Sequence, residues 1–228
     1  MVIDADPDAN IGDLIGKELH FSETLGGRMR EFRKKLQRNE LPPLMNKKQV
    51  IEGEVFSALI EKEEFDFMEM GRTEGEGCYC FINDVLKHAI DVISENYEYT
   101  LVDTPAGLEH FARKTGRDVS DLIVVVDPSY MAIHTLSRII EITEEVALTF
   151  EKIWIVGNRY SETTKEILID KIESIKRKLV NGKVIEFLGF LPEDEEIQRF
   201  NLTRKSILKL SPENPAYNAA KEFFRKLL

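Results

Sequence analysis

Thr100-Leu101-Val102-Asp103-Thr104-Pro105-Ala106-Gly107 (residues 100–107) is a short apolar run that ends in a carboxylate and then a glycine. An Asp at the carboxyl end of a buried strand can hold a Mg²⁺-bound water, and a glycine amide behind it can approach a phosphate closely. Related turns follow three more apolar runs. Leu122–Val126 leads into Asp127-Pro128-Ser129, where Ser129 is placed to cap a helix over residues 130–150, and capping is enough to explain that turn. Ile153–Val156 leads into Gly157-Asn158-Arg159, and an Asn side chain offers the donor and acceptor that read an adenine edge. Glu186–Phe190 leads into Leu191-Pro192-Glu193-Asp194, whose proline ends the strand and starts a short helix. Each turn precedes a helical stretch, which is the rhythm of a parallel sheet covered on both faces. The predicted class is therefore α/β, a mostly parallel sheet with helices on both faces. Ligands of such sheets bind at the carboxyl ends of the strands, and four acidic or amide-bearing tips in succession point to a nucleotide site.

The amino-terminal half follows the same alternation with less regularity. Val2 and Ile3 read as the last apolar residues of a buried strand, with Asp4, Asp6 and Asp8 crowded in the loop beyond and Pro7 fixing its path. Such carboxylates suit Mg²⁺ or phosphate-transfer chemistry, and they suit a capped or solvated turn equally well. A helix is predicted over 22–37 with Ser22 as its N-cap, and another over 50–61. A strand at Phe65–Glu69 feeds a glycine-rich loop. A helix over 81–96 follows, with Ile82, Val85, Leu86, Ala89, Ile90 and Ile93 on one face.

That loop, Gly75-Glu76-Gly77-Cys78-Tyr79-Cys80, holds both cysteines of the chain. A helix N-terminus stabilises thiolate over thiol, so both sulfurs could be nucleophilic or metal-ligating near neutral pH. Residues two apart in a regular helix point about 200° away from each other, so a shared ion requires an irregular first turn. One chain then offers two ligands where a closed thiolate site wants four, and a second copy across a two-fold axis would complete the set. Buried small apolar fillers or a redox pair remain the alternatives.

Length and composition agree with a single domain spanning residues 1–228, with 43% hydrophobic content and no internal repeat or long linker. Two cysteines and no apolar leader argue against a secreted disulfide framework, and the apolar runs are too short to span a bilayer. A cytoplasmic chain is expected. A net charge of -10 argues against a nucleic-acid partner, although Arg28, Arg30, Arg33, Lys34, Lys35 and Arg38 form a local basic segment.

The ordered set Asp4-Ala5-Asp6-Pro7-Asp8-Ala9-Asn10, Met70-Gly71-Arg72, Gly77-Cys78-Tyr79-Cys80, Asp103 through His110, and Asp127-Pro128-Ser129 resembles the CooC family. These are ATPases serving nickel insertion into carbon monoxide dehydrogenase, within the MinD/ParA/nitrogenase-iron-protein class of P-loop proteins. The likeness covers nearly the whole chain. It implies ATP or ADP with Mg²⁺ as cofactor. Asp6 would orient the attacking water with Asn10 nearby, Asp103 would hold Mg²⁺ through water, and Gly107 would sense the γ-phosphate. The turns carrying Asn158 with Arg159, and Pro192 with Glu193, would receive the adenine base. Cys78 and Cys80 from two subunits of a homodimer would bind one Zn²⁺ or Ni²⁺, and carbon monoxide dehydrogenase would be the client.

The sequence departs from this family in one respect. Upstream of the acidic loop the family carries a strand, a glycine-rich phosphate loop with two lysines, and a helix; here no such loop occurs, and no Gly-Lys-Thr or Gly-Lys-Ser is present anywhere. The strand pattern begins at Met1, as expected of a start assigned at an internal methionine or of a fragment lacking roughly thirty residues of a strand-plus-helix unit. Since the missing strand would be an interior one, its loss would open two sheet edges. ATP binding by these 228 residues is expected to be poor without amides and lysine to receive the phosphates. Two other readings stand beside the nickel-linked one. The first is a nucleotide-independent metal-binding module. The second is a MinD/ParA-like positioning ATPase, in which a terminal amphipathic helix over 216–228 would meet a membrane, although such helices more often dock on their own domain.

Overall fold

The computed structural model describes residues 1–40, 46–72, 78–105, 119–145, 150, 152–178 and 184–227. The chain divides into two compact units, Met1–Gly116 and Arg117–Leu228.

In the first unit β1 (Val2–Asp4) is the middle strand, paired in parallel with β2 (Phe67–Glu69) on one side and β3 (Leu101–Asp103) on the other. Ile3 lies level with Met68 and Val102, and these side chains meet one apolar cluster with Met70, Leu25 and Met29 of α2 (Leu25–Gln37), Val55 of α3 (Lys47–Ser57) and Val85, Ala89 and Ile93 of α4 (Cys78–Ser94). Ile3, Leu25, Met29, Met68 and Met70 are fully enclosed. At about 1.5–3 kcal/mol for each such side chain, this cluster holds three helices against one face of a narrow sheet.

Several predicted boundaries move. Asp4 and Asp103 belong to strands, because the backbone ladder runs through them: the Met70 N–H donates to the Asp4 carbonyl at 2.8 Å and the Ala5 N–H to the Asp103 carbonyl at 2.9 Å. Ser22 does not cap α2. Residues Phe21–Glu23 form a 3-10 turn, and Thr24 is the cap, its Oγ1 accepting from the Gly27 N–H at 3.2 Å. Gly27 permits this fold-back, since a Cβ there would sit 1.7 Å from the Phe21 carbonyl oxygen. The helix predicted over 50–61 starts earlier, capped by Asn46, and ends at Ser57, because Ile60 leaves it to bridge Phe67. No Gly or Pro interrupts residues 78–94, and α4 accordingly begins at Cys78, three residues before the predicted start.

The second unit is another parallel sheet, in the order β4 (Asp121–Val126), β5 (Lys152–Asn158), β6 (Val184–Leu191). Helices α5 (Tyr130–Glu145), α6 (Glu162–Lys178), α7 (Glu195–Leu202) and α8 (Pro215–Leu227) follow the strands. On one face of β5, Gly157 leaves room for Leu168 of α6, whose side chain a Cβ would meet at 3.0 Å. On the other, Trp154 and Val156 pack with Leu188 of β6 and Phe223 of α8, joined by Ala219 and Leu227. Helices therefore cover both faces, as the sequence rhythm requires. The terminal helix docks through Phe223 and Leu227, while Phe224 stays partly exposed.

A bulge in β6 makes that docking possible. Ile155 pairs with Phe187 but Val156 pairs with Gly189, so Leu188 is the extra residue. Gly189 has φ +147, and a Cβ there would lie 2.5 Å from the Phe223 ring. Beyond the bulge, Asn158 comes level with Leu191. Among the described residues, β3, β4 and β6 each have one side without a strand partner. No helix among the described residues is long and apolar enough to cross a membrane.

Candidate functional site

The parallel register of the first unit places Glu69, Asp4 and Asp103 side by side at three strand tips. Asp4 is fully buried and both its oxygens are used: Oδ1 accepts from the Asp6 N–H at 3.1 Å and Oδ2 from the Ile11 N–H at 2.9 Å. Burial raises its carboxyl above the ordinary value, the two amides oppose that rise, and the Asp103 and Asp6 charges add to it. Glu69 is also buried. Burial, then the charges of Asp4 and Asp13, push its carboxyl up to about 7, while the Gly12 N–H holds it down. Asp103 is raised by partial burial of its carboxyl and then by Asp6, against a hydrogen bond from the Thr104 N–H.

The acidic loop is organised by these carboxylates. Asp6 Oδ1 accepts from the Asp8 N–H at 2.8 Å, Asp8 pairs with Arg72 at 2.8 Å, and Asn10 stands at the start of the short helix α1, Ile11–Leu14, without capping it through its side chain. The structure thus brings Asp6 and Asp103 within electrostatic reach of each other and places Asn10 on the same loop as Asp6. Hard carboxylate oxygens held this near, with the Asp6 charge raising Asp103, suit a hydrated Mg²⁺, which would relieve their repulsion. Among the described residues, no three His, Cys, Asp or Glu side chains are arranged to hold a metal ion directly. Gly107 lies outside the described residues. Cys78 and Cys80 are the first and third residues of α4.

In the second unit the base-side residues gather around one carboxylate. Asp127 follows β4 and Asn158 ends β5, and the pairing of Val126 with Gly157 makes the two adjacent. Asp127 Oδ1 accepts from Asn158 Nδ2 at 3.1 Å and from Arg159 Nε at 3.3 Å, Oδ2 accepts from Arg159 Nη2, and the Asp127 carbonyl accepts from the Tyr160 hydroxyl at 3.1 Å. Arg159 has φ 58, a left-handed conformation that costs a residue with a Cβ roughly 1–2 kcal/mol. In it the Arg159 N–H donates to the Leu191 carbonyl at 2.9 Å, bringing the turn at Pro192 alongside. Its guanidinium is raised above its usual pKa by hydrogen bonding to Asp127, then by the charges of Asp127 and Glu193. Glu193 also accepts from Gln198 Nε2 at 2.9 Å.

Sequence reasoning assigned the Asp127 turn to capping. Ser129 does cap α5, accepting from the Ala132 N–H at 3.1 Å, but Asp127 itself serves Asn158 and Arg159. Its partners lie 31 and 32 residues away, so only the sheet register could have disclosed it. Glu69 was read as strand, and its place beside Asp4 is likewise a matter of register.

Parallel strands with acidic and amide-bearing carboxyl ends, covered by helices, define an α/β fold of the kind seen in MinD and ParA proteins. The AAA domain family matches residues 1–155, and the chain belongs to that family. It is 32% identical over all 228 residues to an ATP-binding protein of Methanocaldococcus jannaschii, covering 86% of that protein. It is 25% identical over 225 residues to the carbon monoxide dehydrogenase accessory protein CooC of Rhodospirillum rubrum, which spans 93% of this chain and 79% of that one. Among solved structures, a ParA family ATPase from Chlorobium tepidum superposes with a TM-score of 0.67 at 17% identity, covering 99% of this chain and 84% of the other, which shows the fold.

Proposed function

We propose that this chain is a nucleotide-dependent metal-delivery factor of the CooC type, serving nickel insertion into carbon monoxide dehydrogenase. The observation that carries this reading is the position of the cysteine pair. Cys78 and Cys80 open a seventeen-residue helix, on the first turn, where unsatisfied amides favour thiolate. Similarity to CooC over 225 residues supports the client, and the name of the Methanocaldococcus relative supports ATP as the nucleotide.

On this reading the residues divide the work. In the first unit Asp103 would hold Mg²⁺ through a water, Asp6 with Asn10 would orient the attacking water, and Gly107 would meet the γ-phosphate. Bound Mg²⁺ would supply charge neutralisation between phosphate and these carboxylates. In the second unit Asn158 and Arg159, with the turn at Pro192 and Glu193, would receive the base. The sequence holds no glycine-rich lysine loop, so these 228 residues would grip ATP weakly. Cys78 and Cys80 of two chains would together enclose one Zn²⁺ or Ni²⁺ in a homodimer, which requires the first turn of α4 to open from regular helical geometry on binding so that both sulfurs turn to one side.

Metal titration with Zn²⁺ and Ni²⁺, followed by sedimentation, tests this function. One tightly held ion per two chains is expected, with Cys78→Ser abolishing both the binding and the metal-dependent dimer. Tight binding of one ion by a proven monomer would overturn it.

A further inference from the structure

We infer that Asp127 is a positioning residue that gives Asn158 its preference for a 6-amino purine over a 6-oxo purine; the inference rests on the base-reading role proposed above for Asn158. An ionised carboxylate only accepts hydrogen bonds, so whichever end of the Asn158 amide faces Asp127 must be the nitrogen. The geometry agrees: Asn158 Nδ2 donates to Asp127 Oδ1 at 3.1 Å. The amide is thereby held in one of its two flips. Oδ1 lies on the side away from the carboxylate, and one Nδ2 hydrogen remains beyond the one given to Asp127. An acceptor beside a donor matches the amine and ring nitrogen of adenine, whereas a 6-oxo group would set oxygen against oxygen.

The carboxylate is itself held against rotation. Arg159 donates to Asp127 through both Nε and Nη2, and Tyr160 donates from its hydroxyl to the Asp127 carbonyl. Three consecutive residues, Asn158 at the end of β5 and Arg159 and Tyr160 after it, thus grip one residue after β4. Arg159 adopts φ 58 to take part, a backbone cost that the two-point contact with Asp127 helps to offset. Without the carboxylate the Asn158 amide could turn over, present its nitrogen to a 6-oxo group, and lose the distinction.

The test uses the full chain and two nucleotides that differ at this one group, adenosine and inosine 5′-monophosphate. Each is titrated to tens of millimolar, above the weak affinity expected of these residues, while the side-chain amide resonances of Asn158 are followed by NMR. The wild type should bind the adenosine nucleotide more tightly by about tenfold or more. In Asp127→Asn the ratio should fall to within about twofold, because an amide at 127 tolerates either flip of its neighbour. Asp127→Ser serves as a second variant, and the backbone spectrum reports whether each variant is folded. Equal affinity for the two nucleotides in the wild type, or an unchanged ratio in a folded variant, would overturn the role of Asp127 while leaving Asn158 as a base contact. If neither nucleotide moves the Asn158 resonances, the base-reading role fails and this inference fails with it.

Discussion

Replacing Glu69 with Gln should stabilise the protein at neutral and alkaline pH, and by an amount that follows from the burial of its carboxyl. The group is 7% exposed, faces Asp4 across the strand pair and Asp13 on α1, and receives one amide, that of Gly12. Its carboxyl rises from 4.5 to about 7 on folding, which corresponds to a charged-state penalty of about 3 kcal/mol. Below pH 4.5 the group is protonated in both states and the penalty is absent. Between 4.5 and about 7 the folded state keeps a proton that the unfolded chain has released, so stability falls as pH rises; above about 7 the loss is complete. The buried Asp4, also raised, acts in the same direction. Glu69→Gln keeps an oxygen for the Gly12 N–H and cannot ionise. Its advantage over wild type should grow from near zero at pH 4.5 to about 3 kcal/mol at pH 8, or roughly 6–12 °C in Tm for a chain of this size. Urea unfolding of both proteins at four pH values across this range measures it. A difference that does not change with pH, or one that grows toward acid, would refute the electrostatic reasoning.

Gly71→Ala should cost roughly 2–4 kcal/mol in denaturant unfolding, since Gly71 has φ +70 and a Cβ would lie 2.5 Å from Thr24 Oγ1, the cap of α2. Asn214 is buried and donates to Asp194 Oδ2 at 3.0 Å and Glu196 Oε2 at 3.2 Å, so Asn214→Asp should destabilise more than Asn214→Ala near neutral pH, by setting a third carboxylate against two. Equal losses in the two Asn214 variants would show that the donor contacts carry little weight. Isothermal titration of the 228-residue chain should show no saturable ATP binding below roughly millimolar, about 4 kcal/mol of binding free energy. Micromolar binding would mean that another segment receives the phosphates.

The α/β rhythm was legible because apolar runs and helical stretches alternate in side-chain chemistry, and side-chain chemistry is what a sequence displays. Strand ends were less legible. Asp4, Asp103 and Asn158 are polar, yet their backbones continue the parallel ladders, so the strands run up to two residues past the last apolar position. Roles that depend on register were hidden altogether. Asp4, Asp6 and Asp103 read alike in the sequence, but Asp4 is fully buried with both oxygens committed to the Asp6 and Ile11 amides. It therefore holds the loop in shape. Asp6 commits Oδ1 to the Asp8 N–H, and among the described residues its second oxygen has no hydrogen-bond partner. A hydrated cation needs carboxylate oxygens that are not already neutralised by fixed amides, and that requirement separates Asp6 from Asp4 although only one residue lies between them. The same distinction applies in the second unit: Asp127 is spent on Asn158 and Arg159, so its chemistry is exerted through the amide it holds and not through direct contact with a ligand.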